Sequence, residues 1–430
     1  MTLPNPAWRA GAAILGVALC TVAAWAQPGP APLRTTPTEQ ITVKVPFRDW
    51  GPTTIAGTTI LGGGNRGLYA VDTLSGKVRW SFRPTGTAHG NPFVATAPGV
   101  SGDSVIVPIG NTLMAVSLAT GKELWRGPAT AQGATVAVDA GIAYVLGEDS
   151  SFRALDAATG REKWKMALTR DSCESVPLVR DGTVYVSGNI LVKPGDANSP
   201  ASYYRHLFAL DASTGQERWR SPSAPLPRTS GVCLRQPVVT DDTYFAVSDE
   251  ALHAVTLATG RERWAPVETR RMMEGRLRPV ELFALVDAGS ALLGLTKTAL
   301  MAFDKTSGAT AWEVPGQYHP NGPSMAVAGR VLYVQGHPGA PPADEVQGRI
   351  VYSGGKPLPT APALPPGTLR GLDLDTRAIL WSFSRPTAEA NWPFGFVTPV
   401  DGGLWVDSYQ ALVKLQGRSG NGKRDGLSAS

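Results

Sequence analysis

The sequence predicts an all-β protein, an eight-bladed β-propeller of four-stranded antiparallel blades in which an N-terminal strand closes the last blade. Three observations lead to this prediction. One unit that ends in tryptophan occurs seven times, the intervals between copies have room for further strands, and turn-forming residues are abundant. The 430 residues include 48 glycines and 36 prolines, and 17% are charged. This composition favours short strands and many turns over helices.

The repeated unit is clearest where the sequence reads Leu-Phe-Ala-Leu-Asp-Ala-Ser-Thr-Gly-Gln-Glu-Arg-Trp and ends at Trp219. Apolar residues that alternate, such as Leu207 and Ala209, predict a half-buried strand. The carboxylate of Asp211 can accept hydrogen bonds from the turn, and Gly215 supplies the positive φ that a short hairpin loop needs. The tryptophan lies on the return strand, and its ring is large enough to pack against the next sheet. The unit is therefore expected to stack on copies of itself.

Eight tryptophans are expected at the blade-docking position. The seven complete units end at Trp80, Trp125, Trp164, Trp219, Trp264, Trp312 and Trp381. After the last unit, three predicted strands lie between Phe396 and Leu415, and no fourth strand follows. The stretch from Ile41 to Trp50 can supply the fourth strand from the other end of the chain. This would make Trp50 the eighth docking residue and would leave no exposed sheet edge in the ring.

Composition divides the chain into four segments. These are a signal peptide over residues 1–26, a flexible lead-in over 27–40, the propeller over 41–416 and a disordered tail over 417–430. The first is an apolar run that follows Arg9 and ends in Ala24-Trp25-Ala26, a small-residue pattern that favours cleavage. This run is too short to indicate a membrane span. The lead-in is rich in proline and threonine, and the tail is polar and rich in glycine.

The N-terminal segment predicts export, so we expect the protein in the periplasm, secreted, or elsewhere in the cell envelope. Lipid attachment at Cys20 is the alternative, although Leu19 precedes it where such processing prefers Gly, Ala or Ser. Cys173 and Cys233 occur at the same point of two successive repeats, which predicts a disulfide in an oxidising compartment; two unpaired thiols are the alternative. The formal net charge of +5 does not indicate a nucleic-acid partner. We expect a monomer without a transmembrane span.

Two insertions interrupt the repeat, one over residues 188–204 and one over 336–367. Each is expected between the second and third strands of its blade. Because neighbouring strands run in opposite directions, both insertions should emerge on the face that also carries the connections between blades. Sequence order therefore predicts one elaborated face.

The candidate binding residues lie in the connections between blades, at the predicted mouth of the central channel. They are His89, Asn91, Glu174, Arg235, Arg276, Arg278, His319, Asn321, Asn391 and Trp392. A ligand or partner site is one interpretation of this group, and ordinary solvated loops are the other. For Trp392 the alternatives are a platform that stacks on a sugar and packing within a blade junction.

The sequence contains no recognisable catalytic or metal-binding motif. The five histidines are scattered, and neither Cys-x-x-Cys nor Gly-x-Ser-x-Gly occurs. The run from Gly62 to Gly64 has no lysine at the spacing of a phosphate-binding loop. We therefore expect no catalytic residues and no metal site.

The pattern Leu-x-Ala-Leu-Asp-x-x-Thr-Gly-x-x-x-Trp resembles the tryptophan-docking repeat of the propellers of the pyrroloquinoline quinone (PQQ) type, and it extends over residues 41–416. In one branch of that superfamily, the quinoprotein alcohol and glucose dehydrogenases, PQQ lies in the channel mouth with a calcium ion, an acidic base and, in many, adjacent paired cysteines. The present chain is shorter and has no Cys-Cys pair or recognisable set of calcium ligands. Arg235, Arg276 and Arg278 are the candidates for holding the carboxylates of PQQ. This branch implies a PQQ-dependent dehydrogenase.

The other branch comprises non-enzymatic envelope propellers similar to BamB, a lipoprotein subunit of the outer-membrane β-barrel assembly machinery. These proteins have eight blades, about this length and a signal sequence, and they hold partners in place. The resemblance implies an exported scaffold that binds protein partners in the cell envelope without a cofactor, through the face that carries the insertions. A PQQ-binding oxidoreductase and a propeller that binds carbohydrate or cell wall are the alternatives.

Overall fold

The computed structural model describes residues 30–44, 53–64, 67–85, 97–130, 134–147, 149, 151–168, 177–193, 202–221, 224–225, 237–240, 242–248, 251–273, 276–279, 282–296, 298–318, 325–338, 352–353, 356–357, 368–384, 394–408 and 411–417. Short strands dominate this part of the chain, and the described residues include no helix. Neighbouring strands pair antiparallel, as in the sheet that contains the unit ending at Trp219. The prediction of an all-β fold is confirmed.

Four-stranded units follow one another along the chain, and we number them blades 1 to 8, with strands named first to fourth in sheet order. The strands of blades 1 to 4 are Thr54–Ala56, Thr59–Gly64, Gly67–Asp72 and Val78–Phe82; Gly99–Ser101, Ser104–Ile109, Thr112–Ser117 and Glu123–Ala129; Val136–Asp139, Ile142–Leu146, Ser151–Asp156 and Glu162–Ala167; and Leu178–Arg180, Thr183–Lys193, Ser202–Asp211 and Glu217–Arg220. The strands of blades 5 to 8 are Val238–Val239, Thr243–Ser248, Ala251–Thr256 and Val267–Glu268; Ala284–Asp287, Leu292–Leu295, Ala299–Phe303 and Thr310–Tyr318; Met325–Ala328, Val331–Pro338, Thr368–Asp373 and Ile379–Ser384; and Phe394–Val400, Gly403–Ser408, Ala411–Gly417 and Pro37–Lys44. Within the described residues, this grouping agrees with the predicted eight-bladed propeller.

A few described strands add to this pattern. Ala224–Pro225 pairs with the third strand of blade 4. Between blades 5 and 6, Arg270–Met273 pairs with Arg276–Pro279 in a separate hairpin. Tyr352–Ser353 pairs with Lys356–Pro357 inside the second insertion. All of these strands lie in connections that the repeat does not prescribe.

The hydrophobic core lies between neighbouring blades, where the inner faces of two sheets meet. Between blades 1 and 2, for example, Leu61 and Ala70 pack with Val105 and Met114, and all four side chains are inaccessible to solvent. Burial on this scale is the main favourable contribution to folding, and it is divided among similar small interfaces.

The N-terminal strand closes the ring, as predicted. Pro37–Lys44 is the fourth strand of blade 8 and pairs antiparallel with Ala411–Gly417. Its Val43 belongs to a buried cluster that also contains Tyr69 of blade 1 and Trp405 of blade 8, so the first and last blades pack together. The strand begins at Pro37 rather than at Ile41. Residues 37–40 of the predicted lead-in therefore belong to the closing strand.

A repeated tryptophan joint fastens each of blades 1 to 5 to the blade after it. In blade 1, Trp80 pairs across the sheet with Ala70. Its indole Nε1 donates to the backbone oxygen of Leu118 at 2.8 Å, and its ring lies on Gly121, where an added Cβ would come within 2.7 Å of the ring. The other joints pair Trp125 with Ala157 and Gly160, Trp164 with Ala212 and Gly215, Trp219 with Leu257 and Gly260, and Trp264 with Lys305 and Gly308. Each tryptophan thus contributes both apolar contact and one hydrogen bond.

The joint between blades 6 and 7 keeps the tryptophan but not the glycine. Trp312 pairs with Ala302 and packs on the cluster that contains Leu374. The glycine position of the blade 7 turn is held by Arg377, which adopts a φ of 62°. A side chain at this φ is strained, so the turn geometry is maintained at some cost.

The last joint, from blade 8 to blade 1, uses Ile41 where the other blades use tryptophan. Ile41 pairs with Lys414 in the register in which each tryptophan faces its small partner. Its side chain packs against Gly76, the glycine of the blade 1 turn. The expectation that Trp50 fills this position is therefore corrected, because the closing strand begins earlier and brings Ile41 to the joint; Trp50 itself lies outside the described residues.

Lys414 supplies the hydrogen bond that an isoleucine cannot make. Its Nζ donates to the backbone oxygen of Thr73 at 3.2 Å, which is the carbonyl equivalent to those reached by the indoles. The same Nζ lies 5.9 Å from the centroid of the Trp405 ring, close enough for a cation–π interaction. Two side chains therefore share the task of one tryptophan.

Residues 30–36, which we call the N-terminal strap, complete the joint between blades 7 and 8. Blade 8 has no third-to-fourth hairpin turn, because its fourth strand comes from the other end of the chain. Leu33, which is 2% exposed, takes the place of that turn. Its N–H donates to the hydroxyl of Tyr333 at 2.7 Å, and its carbonyl accepts from Trp381 Nε1 at 2.9 Å. The strap thus restores the acceptor that the other joints take from a turn.

Candidate functional site

Strand order gives the ring two faces with different structures. The first-to-second turns of the blades and the third-to-fourth turns of blades 1 to 7 lie on one face, which we call the turn face. The second-to-third connections and the links between blades lie on the other, which we call the insertion face. The first insertion continues the strands Thr183–Lys193 and Ser202–Asp211, and the second lies between Val331–Pro338 and Thr368–Asp373. Both insertions emerge on the same face, as predicted.

Most of the predicted binding residues fall on connections beyond the described part of the chain. They are His89, Asn91, Glu174, Arg235, His319, Asn321, Asn391 and Trp392, and Cys20, Cys173 and Cys233 lie outside it as well. Arg276 and Arg278 belong to the hairpin between blades 5 and 6. The predicted convergence of these ten residues at the channel mouth therefore stays a prediction.

The first insertion rises from blade 4 on a firmly held base. Leu168, 4% exposed, packs against the backbone of Gly188 where the hairpin leaves the blade. On the third strand, the Nδ1 atom of His206 lies 2.8 Å from the backbone oxygen of Ser221. The guanidinium of Arg220 lies 5.2 Å from the Phe208 ring centroid. These contacts fix the strands of the hairpin as an extension of the blade.

The second insertion begins at a point where blades 6 and 7 share backbone hydrogen bonds. Gly316–Tyr318 pairs with Gly336–Pro338, so the two blades form one continuous sheet on the insertion face. Gly336 has a φ of 147°, and a Cβ there would come within 2.5 Å of the Gln317 oxygen. A side chain would clash at this position, so only glycine permits the approach.

Arg370 stabilises the base of the second insertion from the next strand. Its Nη1 donates to the backbone oxygen of Gly336, and Tyr318 and Gln335 nearby are almost fully buried. Burial lowers the pKa of the Arg370 guanidinium from its ordinary value. The repeat gives this position no special role. The one sequence signal is an arginine between the apolar residues Leu369 and Leu372 of the third strand.

On the turn face, many charges neutralise one another. Six of its described cations lie against carboxylates, in the pairs Arg79–Asp72, Arg218–Asp211, Arg263–Asp242, Lys305–Asp287, Arg330–Asp375 and Arg34–Asp373. The turn carboxylates also accept backbone hydrogen bonds, and in Asp304 the hydroxyl of Thr306 and the groups of Ser307 lower the pKa to about 2. As the sequence analysis predicted, the aspartates of the repeat serve the turns.

Among the described residues no three His, Cys, Asp or Glu side chains are grouped to hold a metal ion. The described arginines proposed for PQQ, Arg276 and Arg278, lie in a hairpin that is separate from the blade sheets. Within the same residues, no helix is long and apolar enough to cross a membrane.

Four-stranded blades joined by tryptophan–glycine contacts define this protein as a β-propeller with the PQQ-type repeat. A family model described as outer membrane protein assembly factor BamB matches residues 192–338. The fold is similar to the crystal structure of BamB from Moraxella catarrhalis, with a TM-score of 0.59 at 15% identity over 89% of this chain and 100% of that one. Quinohemoprotein alcohol dehydrogenase from Comamonas testosteroni is similar too, with a TM-score of 0.59 at 12% identity over 91% of this chain and 78% of that one.

Sequence similarity also reaches a different class of protein. Serine/threonine-protein kinase AfsK of Streptomyces coelicolor is 26% identical over 171 residues, which are 39% of this chain and 18% of the kinase. The chain spans less than a quarter of the length of the curated relatives that it matches. The chain resembles the PQQ-like β-propellers, whose fold occurs in both an assembly factor and an alcohol dehydrogenase.

Proposed function

We propose that this chain is an exported, non-enzymatic scaffold that holds protein partners in the cell envelope through its insertion face. The observation that carries the proposal is the placement of both insertions on one face, each on a rigid base. The blade 4 hairpin is fixed by Leu168, and the second insertion starts at the backbone pairing of Gly316–Tyr318 with Gly336–Pro338. Binding residues are found disproportionately on loops that a rigid scaffold positions.

Similarity in fold and sequence to BamB supports the assignment to the cell envelope. The apolar N-terminal run supports export. The turn face offers a contrast, because its turns are tight and many of its charges are paired with one another. A partner surface is therefore better accommodated on the insertion face.

The proposal is tested by removing residues 340–366 and measuring partner capture from an envelope extract. We expect capture to be lost and thermal stability to be nearly unchanged, because the flanking strands and their pairing with Gly316–Tyr318 are kept. A matched control replaces Leu74, a 73% exposed side chain on the turn face, with serine. Capture that survives the deletion, or that is lost equally in the Leu74→Ser variant, contradicts the proposal.

A second candidate function is a PQQ-dependent oxidoreductase, and the fold similarity to a quinohemoprotein alcohol dehydrogenase favours it. Titration of the purified protein with PQQ and calcium, followed by absorbance and by dye reduction with alcohols or sugars, separates the two functions. Stoichiometric binding of PQQ with turnover would show that the protein is an enzyme and would contradict the scaffold function. We expect neither PQQ binding nor turnover.

A further inference from the structure

We propose that the fourth strand of blade 7, Ile379–Ser384, binds an extended, uncharged segment of the protein partner as an added β-strand. This inference rests on the proposed function and names how the partner is held. The strand, which we call the blade 7 edge, is the last of the eight-stranded sheet that blades 6 and 7 form together. Among the described residues, no further strand pairs with its outer side. The free backbone groups of such an edge can pair with another chain.

The blade 7 edge lacks the charges that protect the other outer strands. Each of the other seven fourth strands contains a charged residue, such as Arg79 in blade 1 or Lys163 in blade 3. The blade 7 edge reads Ile-Leu-Trp-Ser-Phe-Ser, without a charge or a proline, and the nearest charged residues along the chain are Arg377 and Arg385. Natural proteins place charges or prolines on open edges to prevent pairing with other chains. Their absence from one blade points to pairing as the function of this edge.

The two faces of the blade 7 edge differ in burial. Trp381 is 3% exposed and belongs to the core cluster between blades 7 and 8. Because neighbouring residues of a strand point to opposite faces, Ser382 and Ser384 lie on the other face, and both are exposed. Ile379, at the start of the strand, is 45% exposed. An added strand would therefore meet small hydroxyl side chains and one accessible apolar side chain.

Most charges beside the blade 7 edge are engaged within the blade. Arg370 is the cross-strand partner of Ser382, and its guanidinium donates to the backbone oxygen of Gly336. In and beside the turn before the strand, the ion pairs are Arg34–Asp373 and Arg330–Asp375. Arg377 of the same turn is exposed, so a cation marks one end of the edge. These surroundings favour a partner segment of uncharged β-forming residues such as threonine and valine.

The blade 7 edge reaches the insertion face where the second insertion returns to the blade. Ser384, its last residue, pairs with Thr368, the first residue of the strand that follows the insertion. Their hydroxyl oxygens lie 2.9 Å apart. A partner chain that binds the second insertion can therefore continue along the edge without leaving the surface of blade 7. This continuity assigns the edge to the partner rather than to a second copy of the chain.

The test measures the binding of a fluorescent peptide, Gly-Thr-Val-Thr-Val-Thr-Gly, by anisotropy. A second peptide has the same side chains but carries N-methyl groups on the first valine and on the threonine after it, which removes one backbone donor from each of its edges. The intact chain is expected to bind the first peptide saturably. It should bind the methylated peptide at least about tenfold more weakly, because strand addition depends on backbone hydrogen bonds.

A pair of variants locates the binding on the blade 7 edge. Ser382→Lys introduces the kind of charge that the other edges carry and should weaken binding of the first peptide about fivefold. Ser81→Lys is the matched control, because Ser81 follows Trp80 on the outer strand of blade 1 as Ser382 follows Trp381, and both serines are exposed. The control should bind like the parent. Near-ultraviolet circular dichroism verifies the fold of each variant.

Four outcomes of the peptide measurements overturn the inference: no saturable binding by the intact chain, equal binding of the methylated peptide, unchanged binding by Ser382→Lys, or equal loss in Ser81→Lys. Sedimentation equilibrium provides a further arm. A dimer of the intact chain that Ser382→Lys dissociates would show that a second copy occupies the edge and would contradict the assignment. Envelope capture separates this inference from the proposed function: capture lost on deletion of residues 340–366 but kept in Ser382→Lys contradicts the inference alone.

Discussion

The five joints that link blades 1 to 6 in series and the two joints on either side of blade 8 all fasten one blade to the next, but they use different residues. In the former, one tryptophan packs on a glycine and donates to the carbonyl of the next turn. At blade 8 the apolar contact comes from Ile41 and the hydrogen bond from Lys414, while the strap supplies the acceptor for Trp381 through Leu33. The position in the blade is therefore kept, and the residue that fills it is not.

The two kinds of joint therefore differ in whether continuous chain or side-chain contact alone holds the ring together. A regular joint receives its acceptor from the third-to-fourth hairpin turn of the following blade. At blade 8 the third and fourth strands are separated by almost the whole sequence, so closure depends on the N-terminal residues finding their place. We expect closure to contribute less per joint, because an isoleucine buries less area than a tryptophan.

The largest effect is expected from truncating a tryptophan joint. Trp219→Ala should lower the free energy of unfolding by about 3 kcal/mol, because it removes both the ring contact on Gly260 and the hydrogen bond to Leu257. Ile41→Ala should cost about half as much, or about 1.5 kcal/mol. Chemical denaturation gives both values. Equal costs would mean that the two kinds of joint do not differ in strength.

The strap is expected to have the next largest effect. Leu33→Ala should cost about 2 kcal/mol, since the side chain is almost fully buried between blades 7 and 8. The backbone bonds to Tyr333 and Trp381 would survive, so the measured loss reports packing. Gln40→Ala, at an exposed residue of the closing strand, is the control and should be neutral. A neutral Leu33→Ala would contradict the closing role of the strap.

A smaller effect tests whether Ile41 supplies the apolar contact and Lys414 the hydrogen bond of the joint between blades 8 and 1. Lys414→Ala should cost about 1 kcal/mol by removing the hydrogen bond to Thr73 and the contact with the Trp405 ring. Adding Ile41→Trp to that variant rebuilds the pair found in the other blades and should recover part of the loss. Thermal unfolding of the two variants, side by side, measures the recovery. A double variant less stable than Lys414→Ala shows that the position does not accept tryptophan.

The smallest effect concerns acid stability at the strap. The N–H of Thr376 and the guanidinium of Arg34 hold the pKa of the Asp373 carboxyl at about 2, below its ordinary 3.8. A carboxyl with a lower pKa in the folded state stabilises fully above the unfolded value, and this contribution is lost as pH falls through about 4 to about 2. Asp373→Asn should therefore reduce stability at neutral pH and differ less from the parent at acid pH. A gap that does not narrow there contradicts the assignment.

The fold was predictable from the sequence because the repeated residues are the ones that form the turns and the contacts between blades. Asp211, Gly215 and Trp219 have the turn and packing roles that their spacing indicated. The sequence predicted that an N-terminal strand closes the last blade, but it did not predict which residues of that strand pair with Ala411–Gly417. Trp50 matched the residue type of the repeat, whereas the structure uses Ile41 and Lys414, whose separation by almost the whole chain hides their partnership from any local pattern.

The candidate site was less predictable for a physical reason. The repeat encodes strands and turns, so it places both insertions on one face but says nothing about side chains in the connections. The support that Arg370 gives to Gly336 depends on residues 34 apart, and only the strand register shows that Arg271 is paired with Arg278 in the hairpin between blades 5 and 6. Arg276 and Arg278 were singled out as loop residues, and their strand partners were not.

A photo-reactive amino acid placed on each face tests the central claim most directly. One variant carries it at Ala363 in the second insertion, and the other carries it at Leu74 on the turn face. Irradiation of intact envelopes, followed by separation of covalent adducts, is expected to yield a discrete protein adduct from Ala363 and none from Leu74. A discrete adduct from Leu74 with none from Ala363 would contradict the claim that partners bind through the insertion face.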